Sequence, residues 1–421
     1  MSSITRLSRI AASLLLVPAA SAALADPAYT VVSALRIGDL RTTALAVNDL
    51  GQAVGFHAYS GTSTTGKKSK TYQGWSAFFT ATDSLTVTEV LPLTGLGTAA
   101  DVLTGIATET STSTTGTTST ASTNSGAGGS CAGGWGLVFT AALTAINASG
   151  VAVGESTVAV TVGTKTKYLQ HAVLLSGTTL TDLGTIGGAT GSSTAAGINA
   201  SGLVVGTSTA TGSRKGHAFS SDGTTMTDLG TLGGKSSFAL AVNDAGTIVG
   251  GSSLATGVLH PFVYSADLMS DLGLPTGYVS ASGSAISSTG LIVGNGNATT
   301  TKKVGNKTKK VQTTNAFLYD GAAFTDLGSL YTSTKTGLAS PIVATGVNKD
   351  GTVVGTTLDA SGKPRAFVYE GGVLYDLNAS LPTAYAGYTI VGATSITDSG
   401  YVSAVAVDES GKGYGLVLKL G

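Results

Sequence analysis

The sequence is short of most things that stabilise or activate a typical enzyme. Cys131 is the only cysteine in 421 residues, so no disulfide can form within the chain. Charged residues make up 11% and aromatic residues 6%, against about 25% charged in an average soluble domain. Lys plus Arg number 23 and Asp plus Glu 23, so no overall field draws the chain to nucleic acid. No stretch nears the roughly 18 apolar residues that cross a bilayer, and no membrane span is expected. Gly-x-Ser-x-Gly, His-Glu-x-x-His and Cys-x-x-Cys are all missing. Asn348-Lys349-Asp350-Gly351 lacks the further acids of a calcium loop. Gly pairs such as Gly187-Gly188 precede no helix that would cradle a phosphate. No catalytic residue, metal or cofactor is expected on these grounds.

What the chain has in excess is glycine, 60 residues. The first 25 residues stand apart: Arg6 and Arg9, an apolar run over 10–20, then small residues around Ala20-Ser21-Ala22 and Ala23-Leu24-Ala25. This pattern predicts a secretory signal peptide and an exported product, extracellular or periplasmic. No cysteine follows the run to take a lipid. Without disulfides, stability is expected from one continuous core over 26–421.

The rest of the chain repeats. A turn recurs as Ala46-Val47-Asn48-Asp49-Leu50-Gly51, Ala145-Ile146-Asn147-Ala148-Ser149-Gly150, Gly197-Ile198-Asn199-Ala200-Ser201-Gly202, Ala241-Val242-Asn243-Asp244-Ala245-Gly246 and Gly346-Val347-Asn348-Lys349-Asp350-Gly351. Copies without the Asn end at Gly290 and Gly400. Asn-x-x-Gly between apolar runs predicts a tight hairpin, with Asn bonding the backbone and Gly supplying positive φ. An apolar strand with a polar first slot follows, at Ser76, His171, His217, His260, Asn315, Arg365 and Tyr414. Then comes an acid, loosely at Glu89 and otherwise at Asp182, Asp228, Asp271, Asp326 and Asp376, 11 residues beyond the slot in the five intact copies. Four short strands per unit of roughly 43 to 50 residues predict an all-β propeller of seven four-stranded antiparallel blades, with no helix required. The seventh unit ends at its third strand, and Tyr29-Thr30-Val31-Val32-Ser33-Ala34-Leu35 supplies the fourth, closing the ring. An eighth blade over 93–142 would lack the turn, so 94–140, with its Thr/Ser tract from Thr108 to Ser130, is read as an insertion.

His217-Ala218-Phe219, Met226-Thr227-Asp228-Leu229-Gly230-Thr231-Leu232-Gly233-Gly234, Ala241-Val242-Asn243 and Ile248-Val249-Gly250 together resemble the HAF repeat of exported bacterial proteins. The resemblance spans about residues 28 to 421, although literal His-Ala-Phe stands only in the third unit. It implies an extracellular or periplasmic β-repeat protein and brings no catalytic residues with it.

Symmetric residues are expected to serve the scaffold. His171, His217 and His260 occupy one slot of successive blades, and the repeated Asp suits a repeated backbone hydrogen bond. His57 stands outside the pattern. Catalytic pairs need two unlike environments instead. Asymmetry lies in the connections between second and third strands. Turn Gly to polar slot is 25, 21 and 25 residues in units one, two and five, and 14 or 15 elsewhere. The additions carry Lys67, Lys68 and Lys70; Lys165 and Lys167; and Lys302, Lys303, Lys307, Lys309 and Lys310. Antiparallel geometry sends these loops to one face, the candidate binding surface. Few aromatics beyond Trp75 and Trp135 argue against a stacking lectin. The reading is a monomeric, exported, non-enzymatic interaction or structural module of the cell envelope or extracellular space, engaging an anionic surface polymer or an envelope protein. The alternative is a degenerate propeller hydrolase or lyase with its site at the central channel.

Overall fold

In a computed structural model, the chain is described over residues 28–35, 42–65, 68–80, 86–90, 106–110, 141–213, 215–304 and 307–421. The expected signal peptide, Cys131, Lys67 and most of the 94–140 insertion lie outside these residues. Seven antiparallel sheets follow in chain order: blade I over 42–110, II over 141–182, III over 193–228, IV over 233–271, V over 278–326 and VI over 342–376. Blade VII joins Tyr388–Ile396, Tyr401–Asp408 and Gly413–Leu420 to the N-terminal Tyr29–Leu35. The molecule is a seven-bladed β-propeller.

Each blade begins with the hairpin that the turn motif encodes. In blade III, Asn199 Oδ1 accepts from the Leu203 amide at 2.9 Å, and the Gly202 amide returns to the Asn199 carbonyl at 3.0 Å. Gly202 has φ +85°, a region that side chains with a Cβ avoid. The second strand then carries Val-Val-Gly, and the glycine lets two backbones meet. A Cβ on Gly206 would overlap the Thr194 carbonyl and stand 2.8 Å from the Phe219 ring. Phe78, Phe219, Phe262, Phe317 and Phe367 all lie fully buried opposite such a glycine. In blade VII the smaller Leu416 faces Ala404 instead. In blade II the glycine stays, at Gly154, with the smaller Val173 opposite it, so the pairing of volumes is kept in six blades and relaxed in one.

The first strand of every blade bulges by one residue just before the turn, as between Ala195 and Gly197 or Ala344 and Gly346. In four blades the bulged residue is Ser or Thr and donates to the next blade: Thr144 to Ala195, Ser284 to Ala344, Thr345 to Ala393 and Thr394 to Ala44, at 2.8–3.0 Å. The last of these crosses the ring junction. Closure itself rests on Tyr29–Leu35 pairing Gly413–Leu420, Tyr29 opposite Leu420 and Leu35 opposite Gly415. Tyr29 is buried and donates to the Leu377 carbonyl at 2.7 Å.

Two sequence expectations change. Short 3-10 turns at Leu377–Ser380 and Thr383–Tyr385 enter a chain read as free of helix. They carry the connection from blade VI to VII, where Asp376 caps the first by accepting from the Asn378 amide. Within the insertion, Ile106–Thr110 pairs Thr86–Val90 and gives blade I a fifth strand.

Candidate functional site

The connections expected to be loops are strands. Ala53–Thr65 pairs Lys68–Thr80, Ala152–Val162 pairs Lys165–Ser176, and Ile292–Val304 pairs Lys307–Tyr319. Relative to blade III, where pairing ends at Thr209 and Gly216, these hairpins continue by seven, five and seven pairs. At 3.3 Å per residue, the arms extend roughly 23, 16 and 23 Å. In the arm of blade V no described side chain over 299–302 and 308–312 is buried, so the apolar alternation that announces a strand is missing there. In the arm of blade II, Lys165 and Lys167 are exposed and pair Val162 and Val160 on one face. In blade I, Lys68 and Lys70 pair Thr65 and Ser63. In blade V, Lys302 pairs Lys309, Lys310 pairs Thr301, Lys303 pairs Thr308 and Lys307 pairs Val304. The register thus divides the five lysines between both faces of that arm. Lys302 also reaches the Thr336 carbonyl in the connection to blade VI, while Lys309 and Lys310 are exposed. The lysines share one end of the molecule, but in two places: adjacent arms on blades I and II, and one on blade V across the ring.

The 11-residue interval from polar slot to acid is a cross-strand pair on this same face. His171, His217 and His260 each place Nδ1 2.9–3.0 Å from the carboxylate of Asp182, Asp228 and Asp271. Asn315 does the same with Asp326 at 3.0 Å. One oxygen of each acid also accepts from the glycine amide two residues on, at 2.7–2.8 Å, as the symmetric reading anticipated. Across the sheet from His217 and His260 lie Ser208 and Ser252, a composition shared with hydrolase triads. Their hydroxyls instead accept the amides of Ile186 and Leu232 at 2.9 and 2.8 Å and tie the preceding connection down. His57 belongs to the pattern after all: it is buried at the second-strand position that Ser156, Ser208 and Ser252 occupy elsewhere.

Blade VI breaks the symmetry. Arg365 fills the slot but turns to Asp359, at 3.4 and 3.5 Å. Asp376 is bonded instead by the Tyr331 hydroxyl at 2.5 Å. Burial and that carboxylate push the Tyr331 phenol up to about 12. Asp359 accepts from Ser361 and the Lys363 amide, which holds its carboxyl at about 2. Asp408 in the next blade repeats this geometry with Ser410 and Lys412, also at about 2. Between the two hairpins lies a cavity of about 470 Å³ with Lys363, Arg365, Thr389 and Val391 in its walls. A second, of about 570 Å³, joins Arg365 to Tyr331, Asp359, Asp376 and Asn378. The sequence marked Arg365 only as a repeat position. Its one visible clue was an arginine where three other blades hold histidine.

The central channel opens at the opposite face through a mouth of about 240 Å³. Val47, Ile146, Ile198, Val242, Ile286, Val347 and Ile396 ring it, with the turn residues above them. Each turn Asn of the first four blades donates Nδ2 to the carbonyl of the next turn, from Asn48 to Asn147, Asn199, Asn243 and Ser287, at 3.0–3.2 Å. Three acids stand at the rim, and each accepts from other blades: Asp49 from Ser399, Asp244 from the Ala200 amide, and Asp398 from the Lys349 amide and Ser288. Among the described residues no group of three or more His, Cys, Asp or Glu could hold a metal ion.

A family model described as a protein of unknown function, DUF3466, matches residues 107–414. The chain belongs to this family. The matched span runs from the fifth strand of blade I into the last strand of blade VII. A comparison with curated proteins gives no match.

Proposed function

We propose that the protein is an exported, non-enzymatic interaction module, with its arm-bearing face held against an anionic polymer of the cell envelope or extracellular space. The observation that carries this reading is the direction of the basic side chains. Lys165, Lys167, Lys309 and Lys310 on the arms, and Lys215, Lys363 and Lys412 on the shorter hairpins, are exposed at the same end of the propeller. Backbone pairing fixes the register of the strands that carry the arm lysines, so their charges are gathered at one end before a polyanion arrives. The leader-like first 25 residues and the HAF-repeat resemblance support export. The non-enzymatic reading is supported by the repeated His–Asp pairs and by the occupied hydroxyls of Ser208 and Ser252.

Binding built on exposed charge weakens with salt, because the Debye length falls from about 10 Å at 0.1 M to about 3 Å at 1 M. The purified protein is expected to be retained on immobilised polyanion at 0.05 M NaCl and released by 0.5 M. Changing Lys67, Lys68, Lys302, Lys303, Lys309 and Lys310 to Ser should abolish retention and lower the melting temperature by no more than about 4 °C, since surface substitutions cost at most about 0.5 kcal/mol each. Equal retention by variant and parent would refute the assignment.

A further inference from the structure

We propose that copies of the protein associate head to tail, the acidic turn face of one propeller against the basic arm face of the next. The first-to-second turns of all seven blades and the third-to-fourth turns of blades II to VI share one face, and most of them carry an acid. Asp222, Asp267, Asp320 and Glu370 sit exposed at the outer turns of four successive blades, III to VI. Asp49, Asp244, Asp350 and Asp398 stand at the inner turns. Among the described residues only Lys349 and Lys419 oppose these eight. Lys349 pairs with Asp350 at 2.6 Å, and Lys419 lies over the Tyr401 ring. The arm face holds acids as well, Asp182, Asp228, Asp271, Asp326 and Asp376 beside the polar slots and Asp359 and Asp408 in the short hairpins, but its described Lys and Arg outnumber them, so a chain with no net charge is polarised along its propeller axis.

Two of the outer acids, Asp222 and Asp320, are held ionised by hydrogen bonds from their own turns. Asp222 accepts from Thr224 and Thr225, and Asp320 from Ala322 and Ala323, all at 2.7–2.9 Å. The turn face also exposes Leu50 and Leu268, at 54% and 64%, beside this charge. The arm face exposes Val162, Val279 and Val343, at 37–42%. Pairing like faces sets like charges together. Pairing unlike faces satisfies both and covers apolar side chains on each. Such a contact is heterologous, so every added copy presents a fresh face of each kind. It would replace the monomer expected from the sequence with short stacks at low ionic strength. A polyanion on the arm face would compete with stacking.

The test is sedimentation velocity of the full chain without polyanion. Two variants cap the two faces. The first is D222N/D267N/D320N/E370Q, in which Asn keeps the oxygen that the turn amides bond. The second changes Lys165, Lys167, Lys309, Lys310, Lys363 and Lys412 to Gln. The parent is expected to form concentration-dependent oligomers at 0.02 M NaCl and to associate at least tenfold more weakly at 0.5 M. Each variant alone should remain monomeric with a parental circular dichroism spectrum. Mixed, the two variants should stop at dimers, because only one complementary pair of faces remains. A parent monomeric at 0.02 M, association indifferent to salt, or a variant that oligomerises like the parent would overturn the proposal. So would a mixture of the variants that stays monomeric or grows past dimers.

Discussion

Ring closure can be dissected at one side chain. Tyr29 opens the N-terminal strand, is 6% exposed and donates to the Leu377 carbonyl at 2.7 Å. Burial, with Asp376 nearby, raises its phenol above the ordinary value of 10.0, so the hydroxyl stays a donor throughout the neutral range. Tyr29→Phe removes that bond alone and should destabilise by about 1 kcal/mol. Tyr29→Ala also empties the aromatic volume packed on the blade VI–VII core, a loss of about 3–5 kcal/mol. With an unfolding entropy of roughly 2.1 cal/mol/K per residue over some 390 residues, each kcal/mol lowers Tm by about 1.2 °C. Differential scanning calorimetry should therefore show about 1 °C for Phe and about 4–6 °C for Ala. Val32, in the same strand but 43% exposed, is the control, and Val32→Ala should move Tm by under 1 °C. Deleting residues 28–38 should do far more, exposing the edge of a strand whose Leu416, Val417 and Leu418 are fully buried, with aggregation as the outcome. A Tyr29→Ala variant that melts with the parent, or a Val32→Ala variant that falls as far, would refute the closing role of Tyr29.

Four further substitutions test the packing and the buried charge. Gly206→Ala should cost about 3 kcal/mol in urea unfolding, since its Cβ meets backbone and the Phe219 ring. Gly202→Ala, with open space but φ +85°, should cost only about 1 kcal/mol, and a reversed order would contradict this account. Thr345→Val keeps the shape of the bulge but removes the hydroxyl bonded to Ala393 and Val354, with an expected loss of about 1–2 kcal/mol. Burial raises the Glu155 carboxyl above its ordinary 4.5, against a Gln170 hydrogen bond that lowers it. Its contribution to stability is therefore complete below pH 4.5 and is lost as pH rises through the folded value. Glu155→Gln should raise Tm at pH 7 and leave it unchanged at pH 3.5; a gain equal at both would refute the assignment.

Much of the architecture could be read from local pattern. Asn-x-x-Gly encodes its own hairpin within six residues, and five copies with two more that replace the Asn, at blade-sized intervals, count the blades. A last unit one strand short, with a matching strand at the other terminus, announces closure. The arm of blade V escaped that reading because a hairpin open on both faces has no buried side to impose a period of two. The functions of the symmetric residues escaped it for a different reason: their partners lie across strands or blades. Asn199 is a turn former by sequence, and only the ring brings its Nδ2 to Asn243. The constant interval of 11 residues was visible from His217 to Asp228, but only the pleat shows that it sets an imidazole against a carboxylate. Thr394 meets Ala44 over 350 residues of chain. The separation of charge between two faces is likewise a product of topology. The order of residues fixes how many acids and bases there are, while antiparallel strands decide which connections share an end, and so turn a neutral sequence into a polar disc.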